Sequence, residues 1–157
     1  MIQGSLLAQH EIGKCYYYGR GVEIDYEEAV RWFKKTAEAG LCHSQATLGY
    51  CYFRGEGVPQ DYKKSVEWFE KAALRGTPGS QYYMGYCYYH GLGVKQDYEQ
   101  AVFWFRQATK MNHAASEYYL GLCYLYGRGV SQDKNNAEVC FRKALKQGFE
   151  EAKKYLP

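Results

Sequence analysis

A chain of 157 residues that is 46% apolar and 18% aromatic can build a continuous core, and its formal charge of +3 is too small for a strongly basic surface. Acids and bases alternate along it, unlike the basic stripe of a nucleic-acid binder, and no apolar run approaches the roughly 20 residues that span a bilayer. With no basic-then-apolar leader and no Asn-x-Ser/Thr acceptor, a cytoplasmic protein is expected, with no metal or cofactor.

Gly13, Gly49, Gly85 and Gly121 stand 36 residues apart, and each is followed by Cys-Tyr two residues on, at 15–16, 51–52, 87–88 and 123–124. The same register recovers Gly19/55/91/127, Gly21/57/93/129, Val22/58/94/130, Asp25/61/97/133 and Phe33/69/105/141. A fixed period of this length marks a stacked array of supersecondary units, each touching its neighbours rather than a shared centre. Within one domain, 1–157, the repeats run approximately 5–40, 41–76, 77–112 and 113–148, with a capping helix over 149–157.

In chain order, helices are predicted over 5–18 and 25–39, 44–54 and 61–75, 80–90 and 97–111, 116–126 and 133–147. The first helix of each pair ends at a Gly-x-Gly turn, the signal expected just past a helix. An Asp then stands where an N-cap belongs, and Asp25–Glu28 and Asp97–Gln100 have capping-box spacing. The second helix is amphipathic; in the second repeat Val66, Phe69, Ala72 and Ala73 share one face against Lys63, Lys64, Glu67 and Glu70. Gly40, Gly76 and Gly148 close the hairpins, with Asn112 replacing glycine in the third. Ala152 and Leu156 restart the repeat in a short ninth helix, 149–156, which Pro157 stops. No equivalent cap precedes the first repeat, so Leu6 and Leu7 should lie partly exposed. The mid-helix glycine disfavours a helix by about 1 kcal/mol relative to Ala, which is tolerable where another helix must come close. The fold class is therefore all-α, four helical hairpins plus a C-terminal capping helix.

Cys15, Cys51, Cys87 and Cys123 share one repeat position, so like helices separate them by about 8–10 Å. A disulfide needs Cα atoms within about 7 Å, and free thiols at a recurring core position are expected. Cys123 and Cys140 lie on the two helices of one repeat and form the one pair that could approach.

The recurring unit, Gly-x-Cys-Tyr-x-x-Gly-x-Gly-Val-x-x-Asp with Phe eight residues on, resembles the Sel-one-like repeat (SLR), a cousin of the tetratricopeptide repeat. The resemblance runs from about residue 6 to the end. It implies a right-handed α-α solenoid, or superhelix, whose first helices line a concave face, and a role as scaffold or adaptor in protein complexes. A cysteine-rich branch from Helicobacter ties each repeat by a disulfide from the second helix to the next first helix. The matching positions here hold Ala37, Ala73, Thr109, Gln45 and Gln81, which sets the chain outside that branch. In the fourth repeat Lys134, Glu138 and Cys140 replace the Tyr, Val and Trp of the others, so its second helix is expected to pack more weakly.

Of the 18 tyrosines, 14 fall on first helices, three follow the capping Asp and one lies in the terminal helix. Tyr16, Tyr52, Tyr88 and Tyr124 repeat strictly and are read as core. By analogy with the tetratricopeptide groove, the varying positions Lys14, Tyr50, Arg54, Tyr82, Tyr86, His90, Tyr118 and Tyr126 would form an aromatic, weakly cationic face almost without carboxylates. Such a face suits a peptide or an acidic protein segment, since Tyr and Arg dominate interface hot spots. The competing reading is that these tyrosines merely fill space between helices. A non-enzymatic interaction scaffold is therefore expected. Two alternatives stand beside it. One is a small hydrolase, because a β-lactamase activity is ascribed to the cysteine-rich branch and Ser131-Gln132-Asp133-Lys134 matches Ser-x-x-Lys. The companion motifs are absent and Asp133 is needed as a cap. The other is a single-stranded nucleic-acid binder, which stacked tyrosines with Lys14 and Arg54 would suit but which so few cations disfavour. No Cys/His spacing suits zinc.

Overall fold

In the computed structural model the backbone is described from Ile2 and the side chains from Ser5 to Pro157. Two compact units form, one ending at Arg75 and one beginning at Gly76. The first holds α1 (Ile2–Tyr18), α2 (Tyr26–Glu38), α3 (Cys42–Arg54) and α4 (Tyr62–Ala73). The second holds α5 (Pro78–His90), α6 (Tyr98–Thr109), α7 (Ala114–Tyr126), α8 (Lys134–Lys146) and a terminal 3-10 helix, Glu150–Tyr155. Among the described residues there is no strand, and the fold is all-α: four hairpins and a C-terminal helix.

Three local devices write this pattern. Asp25, Asp61, Asp97 and Asp133 each accept a hydrogen bond from the backbone N–H three residues on, at 2.9–3.0 Å, and so cap α2, α4, α6 and α8. Their own N–H groups donate back to the carbonyls of Tyr16, Tyr52, Tyr88 and Tyr124, fixing the interhelix turn. At the other end, Gly55, Gly91 and Gly127 cap α3, α5 and α7 in the left-handed region, where their N–H groups reach the carbonyls of Cys51, Cys87 and Cys123. The third device joins the two helices of a hairpin. Phe33, Phe69, Phe105 and Phe141 are essentially fully buried, and a Cβ placed on Gly13, Gly49, Gly85 or Gly121 would come within 2.6–2.8 Å of the facing ring. The mid-helix glycine is thus a slot for a phenyl ring whose burial contributes about 1.5–3 kcal/mol.

Boundaries move where caps were misplaced. α3, α5 and α7 begin two residues earlier than the Ala/Ser-anchored prediction, with Leu41, Thr77 and His113 as N-caps and Pro78 at the first turn of α5. α4 and α6 stop two residues short of the predicted ends, at Ala73 and Thr109. Asn112, with φ of 55°, takes the left-handed conformation its glycine counterparts adopt. The terminal segment is 3-10 rather than α. With two short turns between Phe149 and Leu156 it closes on i→i+3 bonds, Ala152 N–H to Phe149 C=O and Leu156 N–H to Lys153 C=O. It nonetheless seals the last hairpin: Ala152 is fully buried, and Phe149, Tyr155 and Leu156 pack on Tyr118, Leu122 and Phe141.

All six cysteines are free thiols, with Cys51, Cys87, Cys123 and Cys140 buried. Burial pushes each of these four up to about 12, so they remain protonated and unreactive. Two expectations fail. Tyr16, Tyr52, Tyr88 and Tyr124 are half-buried, not core, because only one side of each ring leans on a cluster. The fourth hairpin packs as closely as the rest: Phe141 is buried against Gly121, and Cys140 is buried too. At the position it occupies, Trp104 is buried while Trp32 and Trp68 are half-buried.

A buried polar chain ties the first two hairpins together. Ser44 Oγ lies 2.8 Å from His10 Nδ1 and 2.6 Å from Thr36 Oγ1, and all three residues are buried. Burial lowers the pKa of His10 from its ordinary 6.5, with Lys14 and His43 adding to the effect and Glu11 opposing it. His113 is lowered by burial, and His90 by burial and then by Arg128. At these three histidines the unfolded chain therefore binds more protons than the folded one below about pH 6.5, a contribution to stability that is full above that pH and lost as pH falls through it, while buried Glu117, raised by burial, acts in the opposite direction. Urea midpoints measured at pH 7.5 and 5.5 should drop toward the lower pH, and His10→Gln should shrink the difference. A midpoint that rises on acidification would contradict these assignments.

Candidate interaction surface

The first unit places its predicted residues on α1 and α3. Lys14 is half-buried and donates to Glu11 at 2.9 Å, one turn earlier on α1. Arg54, exposed at the end of α3, lies 3.5 Å from Glu56. Glu56 in turn accepts from the Tyr17 hydroxyl, a contact that joins the second repeat's turn to the first repeat's helix. Burial first, and this carboxylate second, hold the Tyr17 phenol well above its usual value. Tyr50, on α3 one turn before Arg54, is half-buried. The expected scarcity of carboxylates is thus wrong for this unit. Both cations have acidic neighbours, and the face is aromatic and close to neutral.

The second unit gathers more. Tyr82, Tyr86 and His90 follow one another by turns of α5, with ring centroids 5.9 Å and 4.3 Å apart. Tyr119 on α7 meets all three, at 6.0, 5.5 and 5.9 Å, and stacks on the buried Phe105 at 5.3 Å. Tyr82 also lies 5.0 Å from His113. Burial raises the phenols of Tyr82 and Tyr119, which stay neutral donors at any physiological pH. Tyr86 is half-buried and His90 exposed, so this cluster has a packed inner side and a wet outer one.

Tyr118 departs from expectation. It is 7% exposed, covered by Phe149 at 4.9 Å and Tyr155 at 6.0 Å, so the terminal 3-10 helix has converted it to core. For Tyr118 the space-filling reading is the correct one. Tyr126 remains 53% exposed beneath the guanidinium of Arg128, 5.0 Å from the ring. Arg128 also lies 5.4 Å from the rings of Tyr89 and Tyr98 and donates to the Tyr89 hydroxyl, a cation–π clamp between the third and fourth repeats. Tyr119, Arg128 and Glu56 were missed in the sequence. Tyr119 occupies a column that also varies between repeats (Glu11, Thr47, Tyr83), which was the available signal; the other two sit inside turns.

Ser131 and Lys134 are exposed, and Asp133 spends its carboxylate on the N-H of Asn136 and on its side-chain amide. Among the described residues no three His, Cys, Asp or Glu side chains converge as a metal site, and no helix is long and apolar enough to cross a membrane.

The Sel1 repeat model matches residues 6–41, 42–77, 78–113 and 114–149, which is nearly the whole chain. The chain belongs to the Sel1 repeat family. Proteins of this family generally serve as protein–protein interaction scaffolds, and the fold is typically non-enzymatic. Among solved structures, it is similar to c5321, a protective antigen of uropathogenic Escherichia coli with an SLR fold (35% identity, TM-score 0.89), covering 96% of this chain and 32% of that one. A Sel1 repeat protein from Oxalobacter formigenes is 36% identical with a TM-score of 0.89, covering 96% of this chain and 62% of that one. Helicobacter pylori cysteine rich protein B, at 23% identity and TM-score 0.62, shares the fold over 85% of this chain and 96% of its own. No curated protein matches significantly. The Sel1 chain thus spans about a third to under two-thirds of the two more similar structures.

Proposed function

We propose that this Sel1 repeat protein is a non-enzymatic adaptor that holds a peptide or extended protein segment against a tyrosine-bearing face, that of α5 in its second unit or, as a separate site, that of α3 in its first. The observation that supports this most is the Tyr82–Tyr86–His90 file with Tyr119 beside it, packed underneath and wet above. Rigid phenols supply contact area at low conformational entropy, with hydroxyls left to donate or accept. The candidate contact residues are Tyr50 with Lys14 and Arg54 in the first unit, and Tyr86, His90, Tyr82 and Tyr126 in the second. Tyr118 is withdrawn from this set because it is core.

Because Lys14 and Arg54 already have carboxylate neighbours, attraction for an acidic segment is weakened, and the partner is held by rings and hydrogen bonds. Peptides selected from a displayed library on the immobilised full chain should bind Tyr86→Ala or Tyr50→Ala at least about tenfold more weakly, equivalent to 1.4 kcal/mol. Binding should change little between 0.1 and 0.5 M salt, since screening acts mainly on exposed charges. Equal binding by both alanine variants, with their circular dichroism unchanged, would eliminate these faces as the site.

A further inference from the structure

The repeat column formed by Gln9, Gln45 and Gln81 continues in the fourth repeat as Glu117. In the first unit this position closes within the protein: the buried Gln45 donates its amide to the Ala37 carbonyl at 3.3 Å. An ionised carboxylate has no hydrogen to donate, and Glu117 lines a cavity of about 480 Å³ in the second unit. That volume falls within the roughly 300–1,000 Å³ of small-molecule sites. The walls come from the last turns of α6 and α8 and the first turn of α7, and they depart from the register together. Thr109 stands where Ala37 and Ala73 do, and Asn112 places a side chain where Gly40, Gly76 and Gly148 have none.

Glu117 is 4% exposed, and no cation among the described residues stands within ion-pair distance of it. Burial raises its pKa, opposed by Lys143 through the field and then by the Cys140 thiol, a weak donor. A carboxylate so placed is costly until a cation is brought against it. At the rim of the same cavity Lys143 and Lys146 are exposed, and among the described residues neither belongs to an ion pair. The cavity therefore has a negative floor and a positive mouth. The lysines repel a bare cation on its way in, and Glu117 repels a bare anion at the bottom.

We infer that this cavity binds a small zwitterion of dipeptide size, its free ammonium set on Glu117 and its free carboxylate held by Lys143 and Lys146. A single α-amino acid carries both charges on one carbon and cannot reach from a buried floor to an exposed rim; a dipeptide with both ends free can. The Thr109 hydroxyl gives its hydrogen to the Arg106 carbonyl at 2.9 Å, which leaves its oxygen as an acceptor for the ammonium. The side-chain amides of Asn112 and Gln147 supply donors for the carboxylate. None of these residues belongs to the tyrosine faces, so the inference goes beyond the adaptor reading and does not depend on it.

A two-dimensional amide NMR titration of the full chain with L-alanyl-L-alanine tests the site. The backbone amides of Asn112, Glu117 and Gln147 should shift and saturate, with a Kd of about 1 mM or below. The N-acetylated dipeptide, which lacks the ammonium, and the dipeptide amide, which lacks the carboxylate, should each bind at least tenfold more weakly. The same loss is expected for Glu117→Gln and for Lys143→Gln. Each installs the residue that the register already carries at Gln81 or Gln107, so the fold is kept and the loss reports on the ligand alone. No saturable shift at these amides would overturn the inference. Equal binding of the blocked dipeptides, or undiminished binding by the two variants, would overturn it as well.

Discussion

Gly85→Leu is expected to lower the unfolding free energy by about 3 kcal/mol, toward the upper end of what overpacking a dense core costs. The first atom of the new side chain is the problem. A Cβ at Gly85 would lie 2.6 Å from both Cδ1 and Cε1 of Phe105, and 3.0 Å from its Cζ. That ring has nowhere to go, because it is fully buried with Tyr119 stacked on it at 5.3 Å and Tyr89 at 6.4 Å. Alanine alone is expected to be harmful, although it would gain about 1 kcal/mol of helix propensity over glycine. Gly79 offers the control on the same helix: no described atom beyond the helix's own backbone lies within 4 Å of its Cβ direction, so Gly79→Ala should be neutral or slightly stabilising. Urea unfolding of the two variants at one pH measures the contrast. Phe105→Leu combined with Gly85→Ala should recover part of the loss, since contacting residues are not additive. If Gly85→Ala is as well tolerated as Gly79→Ala, the ring-over-glycine account of the hairpin is wrong.

The hairpin geometry was legible in the sequence because each of its devices is local or strictly periodic. An Asp before an amphipathic run, a glycine after a helix and a Phe eight residues past the Asp all recur at the same spacing, so their roles could be read in any one repeat and checked in three others. Interaction surfaces are legible only in part, because they depend on what breaks the period. Tyr118 sits in the same column as Tyr82, and periodic reasoning gave both the same exposure. Both are covered by register-equivalent rings, Tyr82 by His113 at 5.0 Å and Tyr119 at 6.0 Å, and Tyr118 by Phe149 at 4.9 Å and Tyr155 at 6.0 Å, but the terminal 3-10 helix buries Tyr118 the more completely. Glu56 and Arg128 were invisible for a related reason. They occupy the variable middle of the Gly-x-Gly turn, where a sequence suggests solvent, and their partners lie 39 residues back. The charge of the α1 and α3 face followed from that oversight: Arg54 looked unopposed until the turn folded Glu56 against it.

The turn glycines illustrate how far a correct residue can carry an incomplete reason. Backbone freedom explains Gly129, which sits at φ +69°, a conformation that costs an L-residue roughly 1–2 kcal/mol. The same term applies to Gly21, at φ +76°. If freedom were the whole role, alanine at either site would have the same effect. The surroundings differ. At Gly129 a Cβ would stand 2.3 Å from the Tyr98 carbonyl oxygen, 2.4 Å from its carbon and 2.7 Å from the Glu99 nitrogen, while at Gly21 no described atom is near. The clashing atoms at Gly129 are main chain in the first turn of α6, held by the Asp97 cap, and cannot turn aside as a side chain would. Gly129→Ala must therefore push the third and fourth repeats apart, withdrawing Val130 from the cluster around Tyr89 and Val102 and Arg128 from Tyr89 and Tyr98. We expect Gly21→Ala to cost about 1 kcal/mol from conformational strain, and Gly129→Ala at least about 3 kcal/mol. Accelerated alkylation of Cys123, which is sealed in the native interface, should accompany the second and not the first. Equal destabilisation by the two alanines would mean that the repeats are not held by backbone approach at this glycine.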